Sequence, residues 1–321
     1  MSTQRRKIHF TSGDTECAAW HYPGGNGACV IMAGAIAATK EPATDRFATR
    51  FHDAGFTVLT FDYRHLGESG GQPRQVVRIG EQLADWRAAI DCAAALPEVD
   101  PARLVIWGHS LSGGHVLHIA AHRPGLAAAI ARSPHADGPA ISRNAARHQR
   151  PAASLRFAGR AVLDCLGGMF GREPLLVPLV GEPGTVAALT TPDALDMPRA
   201  LIAGDDRPAW QQTVAARSAL RTGFYRPGRY AARIRCPLLV IACDQDRSAL
   251  TEPALRAARH APDAELVRLP GGHYATYLDQ YEPALEAELS FLRRRVLHAA
   301  PELGPHSPYS NPDAARDRIG S

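Results

Sequence analysis

Leu104-Val-Ile-Trp-Gly-His-Ser-Leu-Ser-Gly-Gly114 is the stretch on which the reading of this chain turns. Leu104–Trp107 is a continuous apolar run, as expected of a strand buried on both faces. Leu111–His122 reads as a helix, stopped ahead of Pro124. Between them lies a small-x-Ser-x-small pentapeptide centred on Ser110. A chain that passes directly from strand to helix must turn sharply, which leaves the Ser110 hydroxyl projecting above the edge of the sheet. Small residues are needed in such a turn, and a side chain at position 108 or 112 is expected to collide with neighbouring backbone. The helix that follows offers unpaired N–H groups and the positive end of its dipole to developing negative charge. Ser110 is therefore a candidate nucleophile.

The same alternation extends in both directions. Upstream, Lys7–Phe10 and Cys17–Tyr22 read as short strands joined by Ser12-Gly13-Asp14. Cys29–Ala33 and Thr57–Phe61 are buried strands, separated by a helical stretch near Asp45–Asp53 that Gly55 closes. Arg78–Leu96 carries apolar residues at helical spacing and ends at Pro97, and Leu126–Ile130 is a further strand. Downstream, Pro237–Ala242 and Glu265–Leu269 are strands, with helices at Glu252–His260 and Pro283–Leu297. This rhythm predicts an α/β fold, a mostly parallel central sheet with helices on both faces. It breaks between Ser133 and Arg235, where Pro and Gly are frequent and helical pieces are short and mixed. An insertion of that length is expected to be functional. The expected division is a core of residues 1–133 and 235–300, an inserted cap or lid over 134–234, and a loosely ordered polar tail over 301–321.

Composition narrows the function classes. The 321 residues are 45% hydrophobic and 21% charged, with a formal net charge of +4, an ordinary globular balance. Only Lys7 and Lys40 are lysines, and the arginines are scattered among acids, so no nucleic-acid surface is expected. No apolar run reaches the ~18 residues of a membrane span, and the charged N-terminus is not followed by the apolar segment of a signal peptide. The expectation is a cytoplasmic protein with no membrane association. The six cysteines form no CxxC pair and no Cys/His spacing for a metal. His115, His118 and His122 share a helical face, but with no carboxylate nearby they read as packing or exposed residues. There is no dinucleotide fingerprint and no phosphate loop, so no cofactor and no metal are expected.

Two further segments supply partners for Ser110. His273 stands in Leu269-Pro-Gly-Gly-His-Tyr274, a Gly-rich loop just past the last strand, from which an imidazole can swing over a serine at the same sheet edge. Its ordinary pKa near 6.5 suits removal of a hydroxyl proton. Asp244 and Asp246 both follow the strand before last, in Leu239-Val-Ile-Ala-Cys-Asp-Gln-Asp-Arg247. A carboxylate there can hold the other ring nitrogen and stabilise imidazolium.

With these residues in view, the chain resembles the α/β-hydrolase superfamily over roughly residues 5–133 and 235–297, and within it the bacterial esterase, dienelactone-hydrolase and serine-peptidase-like branch. Met32-Ala-Gly-Ala-Ile-Ala-Ala-Thr-Lys-Glu41 aligns where that family often has His-Gly-Phe-Gly followed by Thr-Lys. Phe61-Asp-Tyr-Arg-His-Leu-Gly-Glu-Ser-Gly70 matches its Asp-Tyr-Arg-x-x-Gly-x-Ser segment. The order Ser, Asp, His is also that of the family. The resemblance implies a triad of Ser110, Asp246 and His273, the later aspartate being preferred because the family's acid precedes a short run and then a helix. Asp244 is then expected to hold the turn. It also implies an oxyanion hole from the backbone N–H groups of Ile36 and Leu111. Two departures stand out: Gly34-Ala35 replace His-Gly, and Ser112 replaces the final glycine of the elbow. The activity implied is cleavage of a small-molecule carboxylic ester through an acyl-enzyme, the insertion shaping the pocket with Leu175–Val180, Phe224, Tyr225 and Tyr230. Thioester or small-amide hydrolysis, a non-hydrolytic tailoring reaction and a non-catalytic binding role are the competing readings, and homo-oligomerisation stays open.

Overall fold

The computed structural model describes residues 5–201 and 210–298. The expected tail over 301–321 lies outside the described residues. Among the described residues, ten strands and nine α-helices follow in chain order. They are β1 (Arg6–Ser12), β2 (Thr15–Tyr22), β3 (Cys29–Ala33), α1 (Lys40–Asp53), β4 (Thr57–Phe61), α2 (Ile79–Ala94), β5 (Leu104–His109), α3 (Leu111–His122) and β6 (Ala128–Arg132). Then come α4 (Gly138–Arg147), α5 (Pro151–Met169), β7 (Leu176–Pro178), α6 (Met197–Leu201), β8 (Thr213–Ala215) and α7 (Ser218–Thr222). The chain returns to the sheet with β9 (Leu238–Cys243), α8 (Thr251–His260), β10 (Ala264–Leu269) and α9 (Tyr281–Leu292).

Eight strands form one sheet in the order β1-β2-β4-β3-β5-β6-β9-β10. The β1–β2 hairpin is antiparallel and β2 joins β4 antiparallel; every other pairing is parallel. Every residue of β3, β4, β5, β6 and β9 is buried. That is why these segments read as unbroken apolar runs, whereas β1 at the sheet's edge is largely exposed. The order reverses at β3, which lies between β4 and β5, so the loops leaving β3 and β5 part company there. Such a switch point opens a crevice at the carboxyl ends of the strands. Residues 34–39 and Ser110 both lie at it.

Two boundaries moved for identifiable reasons. Helix α1 begins five residues before the expected start, because its first N–H, on Lys40, donates to Asp62 Oδ1 at 2.7 Å. A carboxylate from another loop caps the helix, so no local capping residue announces it. Strand β6 continues past Ile130 to Arg132, whose guanidinium is fully buried with Glu288, Nε to Oε1 3.2 Å, and stacks 4.0 Å from the Phe47 ring centre.

Residues 134–234 run between the adjacent strands β6 and β9 and add none to the main sheet. Their own strands, β7 and β8, pair antiparallel. The stretch is tied to the rest by specific bonds. Trp210 Nε1 donates to Ala37 O at 2.9 Å, the Val77 N–H to Ser218 Oγ at 3.0 Å, and Gln75 Nε2 to Thr213 O at 2.7 Å. Among the described residues no helix is long and apolar enough to cross a membrane.

Candidate active site

Ser110 sits between β5 and α3 with φ 59° and ψ −119°, a region almost reserved for glycine. Its strain is imposed from both sides. The Ser110 N–H donates to Arg132 O of the neighbouring strand at 3.0 Å, and the Ser110 carbonyl accepts from the Gly114 and His135 N–H groups at 3.0 and 2.8 Å. Gly108 is obligatory, since a Cβ there would lie 2.4 Å from Ser112 O. At Gly114 a Cβ would lie 2.5 Å from His135 O. Ser110→Gly is therefore expected to be more stable than Ser110→Ala by about 1 kcal/mol, and so to unfold at higher temperature. Alanine keeps the strained Cβ and glycine releases it; equal melting temperatures for the two variants would mean that the elbow is unstrained.

Position 112 departs from the steric expectation. Its side chain is accommodated and fully buried, and the hydroxyl closes a relay. Trp86 Nε1 donates to the Tyr63 hydroxyl at 2.7 Å, Tyr63 to Ser112 Oγ at 2.6 Å, and Ser112 Oγ to the Gly34 carbonyl. The loop after β3, which has glycine where the family usually places a histidine, is thus braced from the elbow. The two departures from the family pattern meet at one hydrogen bond. Neither the Ile36 nor the Leu111 N–H has a protein acceptor among the described residues, and both residues border the same cavity as Ser110.

His273 Nε2 lies 2.8 Å from Ser110 Oγ, and His273 Nδ1 lies 2.7 Å from Asp246 Oδ2. A carboxylate can only accept, so Nδ1 carries the proton and Nε2 presents its lone pair to the serine hydroxyl. Burial favours the neutral ring, but the charge of Asp246, its hydrogen bond and the charge of Asp193 outweigh this and raise the His273 pKa above its ordinary value. The other oxygen of Asp246 accepts the Ala249 and Leu250 N–H groups at 2.7 and 3.3 Å, which orients the carboxylate. The backbone N–H of Asp244 donates to Leu269 O at 2.8 Å, and its side chain takes no part in the turn. It faces outward, where Arg268 Nε donates to it at 2.8 Å.

The histidine beside Ser110 and the three on α3 are held by packing or by hydrogen bonds. His109 is buried, its ring centre 4.8 Å from that of His273 and 4.9 Å from that of Tyr277, and burial keeps its pKa well below the ordinary value. His115 is buried between Gln82 Oε1 and the Tyr225 hydroxyl, at 3.0 and 3.1 Å. His118 and His122 stack on each other with Tyr230 across their edges. Asp62 takes Lys40 Nζ at 2.9 Å and the Glu68 N–H at 3.0 Å, and Arg64 pairs with Asp85 at 2.8 Å, so both organise their loop.

Ser110 and His273 open onto a cavity of about 310 Å³, at the small end of the range for small-molecule sites. Its walls correct the expected pocket. Phe224 is 80% exposed and, like Tyr225, Tyr230 and Leu175–Val180, is not among the lining residues. The walls come instead from α4 (Ile141, Ala145), α5 (Phe157, Ala161) and the segment Ala187–Thr191. No Asp, Glu, Lys or Arg lines it among the described residues. Asp193, which no motif announced, lies just behind the wall with a carboxylate oxygen 3.1 Å from the His273 backbone nitrogen.

A mostly parallel eight-stranded sheet with a serine on the strand-to-helix turn of β5 defines an α/β-hydrolase. Residues 26–280 match the model of the serine aminopeptidase S33 family, and the chain belongs to that family. It is 38% identical to the quorum-quenching protein AidA of Acinetobacter baumannii over 90% of this chain and 94% of that one. It is 26% identical to the polyketide transferase GrgF of a Penicillium species, over 91% and 97% of the two chains. The GrgF crystal structure superposes with a TM-score of 0.76, covering 91% of this chain and 99% of that one. A protein of Pseudomonas aeruginosa, PA2218, superposes with a TM-score of 0.77 at 21% identity over 92% and 95%, a likeness of fold.

Proposed function

We propose that the protein hydrolyses an uncharged carboxylic ester with an apolar acyl chain, through an acyl-enzyme on Ser110. The observation that carries this reading is the line Ser110–His273–Asp246, with bonds of 2.8 and 2.7 Å, opening into a cavity whose described lining carries no Asp, Glu, Lys or Arg. Ser110 Oγ attacks the carbonyl carbon while His273 Nε2 takes its proton. The oxyanion is held by the N–H groups of Ile36 and Leu111, and the alcohol leaves with the proton from Nε2. Water then repeats the sequence on the acyl-enzyme. An aminopeptidase substrate fits this site poorly: its free ammonium group needs a carboxylate, and none lines the cavity among the described residues. Residues 134–234 act in this reading as the cap that shapes the acyl site.

A second reading is favoured by the likeness to GrgF, described as a polyketide transferase. The same acyl-enzyme would then be discharged by an alcohol or thiol other than water. The two separate on one panel: purified protein with nitrophenyl esters of two to twelve carbons, with and without added alcohol, products weighed by mass spectrometry. Free acid as the product in both conditions supports hydrolysis. Acyl-alcohol product at the expense of acid supports transfer, and no turnover of any ester removes both. Ala145→Phe, which adds a ring to the wall that α4 contributes, is expected to lower kcat/KM for the longest esters by about 10- to 200-fold and to leave acetate almost unchanged. Equal losses for acetate and the long esters would place the acyl chain elsewhere.

A further inference from the structure

Among the described residues, Asp193 is the one buried carboxylate that joins residues 134–234 to both the Asp246 loop and the His273 loop. It lies in the 3₁₀ turn Pro192–Asp196 and is 8% exposed. Oδ2 accepts three backbone N–H groups from two separate loops: Arg247 at 2.7 Å and Ser248 at 3.2 Å on the loop of Asp246, and His273 at 3.1 Å on the histidine loop. Oδ1 accepts the Ser248 hydroxyl at 2.9 Å, and Ser248 in turn bonds Thr191 Oγ1 at 2.6 Å. The contact is close enough to dictate a glycine, since a Cβ on Gly272 would lie 2.8 Å from Asp193 Cβ. Burial raises the Asp193 pKa, but the His273 charge and these donors more than compensate, so the group is held below the ordinary aspartate value. It is a charge, buried, fully hydrogen-bonded and beside the imidazole loop.

We propose that Asp193 is a positioning residue: it holds the acid loop and the histidine loop in register from the inserted stretch, and it keeps a second negative charge beside His273. The groups facing His273 from every side decide what that charge does. Asp246 bonds its Nδ1. The rings of His109 and Tyr274 lie 4.8 Å away, and His135 acts on it from the cavity side. Burial holds His109 far below its ordinary value and brings His135 down to about 4, while Tyr274 is held well above the tyrosine range. All three are therefore neutral near pH 7, which leaves Asp246 and Asp193 as the charges that favour imidazolium. Asp246 does so in line with the transferred proton. Asp193 does so through the backbone of the loop, and because it belongs to residues 134–234, any movement of that stretch is felt at the base.

The test is the pH profile, and it rests on the reading of Ser110 as nucleophile. His273 must be neutral to accept the proton, so activity falls as pH drops through its pKa. Asp193→Asn removes the charge and keeps an acceptor oxygen. The acid limb of kcat/KM, and of labelling by a fluorophosphonate, is expected to move down by about half a pH unit, with kcat lower by about 10-fold. Ser248→Ala keeps the charge and loosens its anchor. It should lower kcat about 3-fold and leave the limb in place. An unmoved limb in a folded Asp193→Asn protein overturns the proposal; if that variant does not fold, an unchanged kcat in Ser248→Ala overturns it. Ser110→Ala run alongside separates the two readings. Labelling that survives there removes the serine mechanism itself, whereas labelling lost there with an unmoved limb in Asp193→Asn removes only the role of Asp193.

Discussion

Ser110→Ala is expected to abolish covalent labelling by a fluorophosphonate and to lower ester turnover by about 10⁶-fold, the scale set by removal of a triad nucleophile. The wild-type protein should take up one label. Ser142, Ser154, Ser218 and Ser248 also line the cavity and are the serines that compete for it. Ser218 Oγ accepts the Val77 N–H, and Ser248 Oγ is engaged with Asp193 and Thr191. No imidazole lies within hydrogen-bonding distance of any of these four hydroxyls among the described residues, whereas Ser110 Oγ has His273 Nε2 at 2.8 Å. Activation requires a base within that reach. Intact-mass analysis before and after labelling checks the count, and circular dichroism checks that the variant is folded. One full label remaining on Ser110→Ala would show that a different serine is activated and that the geometry at Ser110 is incidental.

The residues of this expected reaction differ in how far they could be read from the chain. Ser110 was legible because it follows an unbroken apolar run that reads as a buried strand, and His273 because it stands on a Gly-rich loop just past the last strand, of which only Leu269 is buried. Asp246 needed more. Two aspartates follow β9 within three residues, and spacing alone could not choose between them. The structure distinguishes them by what they face, the imidazole for Asp246 and Arg268 in solvent for Asp244. Ser112 looked like a flaw in the turn and proved to be a link to Gly34, because the space that receives a side chain there is made by residues 49 and 78 positions away.

The inserted stretch was legible as a break in rhythm and little else. Helix α5 turns Leu155, Leu163 and Met169 outward while Ala153, Ala161 and Asp164 are buried. A rule that sends large apolar residues inward selects the wrong face of such a helix. Asp164 is buried because its carboxylate accepts from Arg217 and from the Leu175 N–H, partners that no period reveals. The cavity is correspondingly walled by alanines, by Ile36, Ile141 and Leu189 and by one aromatic, Phe157, whereas Phe224 lies on the surface. Arg132 and Glu288 carry the same lesson for the core. They are 156 positions apart in sequence and meet in a fully buried pair, where burial pushes the Glu288 carboxyl up to about 7 although Arg132 opposes the shift.

Asp246→Asn is expected to lower kcat by about 10³- to 10⁴-fold while leaving the protein folded. The substitution preserves shape, and the side-chain oxygen can still accept the Ala249 and Leu250 N–H groups now bonded to Oδ1. What then faces His273 Nδ1 is an NH₂ group in place of an oxygen. A donor opposite Nδ1 favours the tautomer whose proton sits on Nε2, and a protonated Nε2 cannot accept from the Ser110 hydroxyl 2.8 Å away. The charge that stabilises imidazolium in the transition state is lost in the same step. Asp193 does not compensate, because it reaches the histidine through the backbone N–H at 3.1 Å and not through the ring. Asp244→Asn offers the contrast. It removes an exposed pairing with Arg268, worth at most about 1 kcal/mol, and should leave kcat within about 2-fold on that scale. Stopped-flow or steady-state turnover of one nitrophenyl ester by both variants decides the matter. A large loss in Asp244→Asn with little in Asp246→Asn would reverse their roles and shift the acid of the triad by two residues.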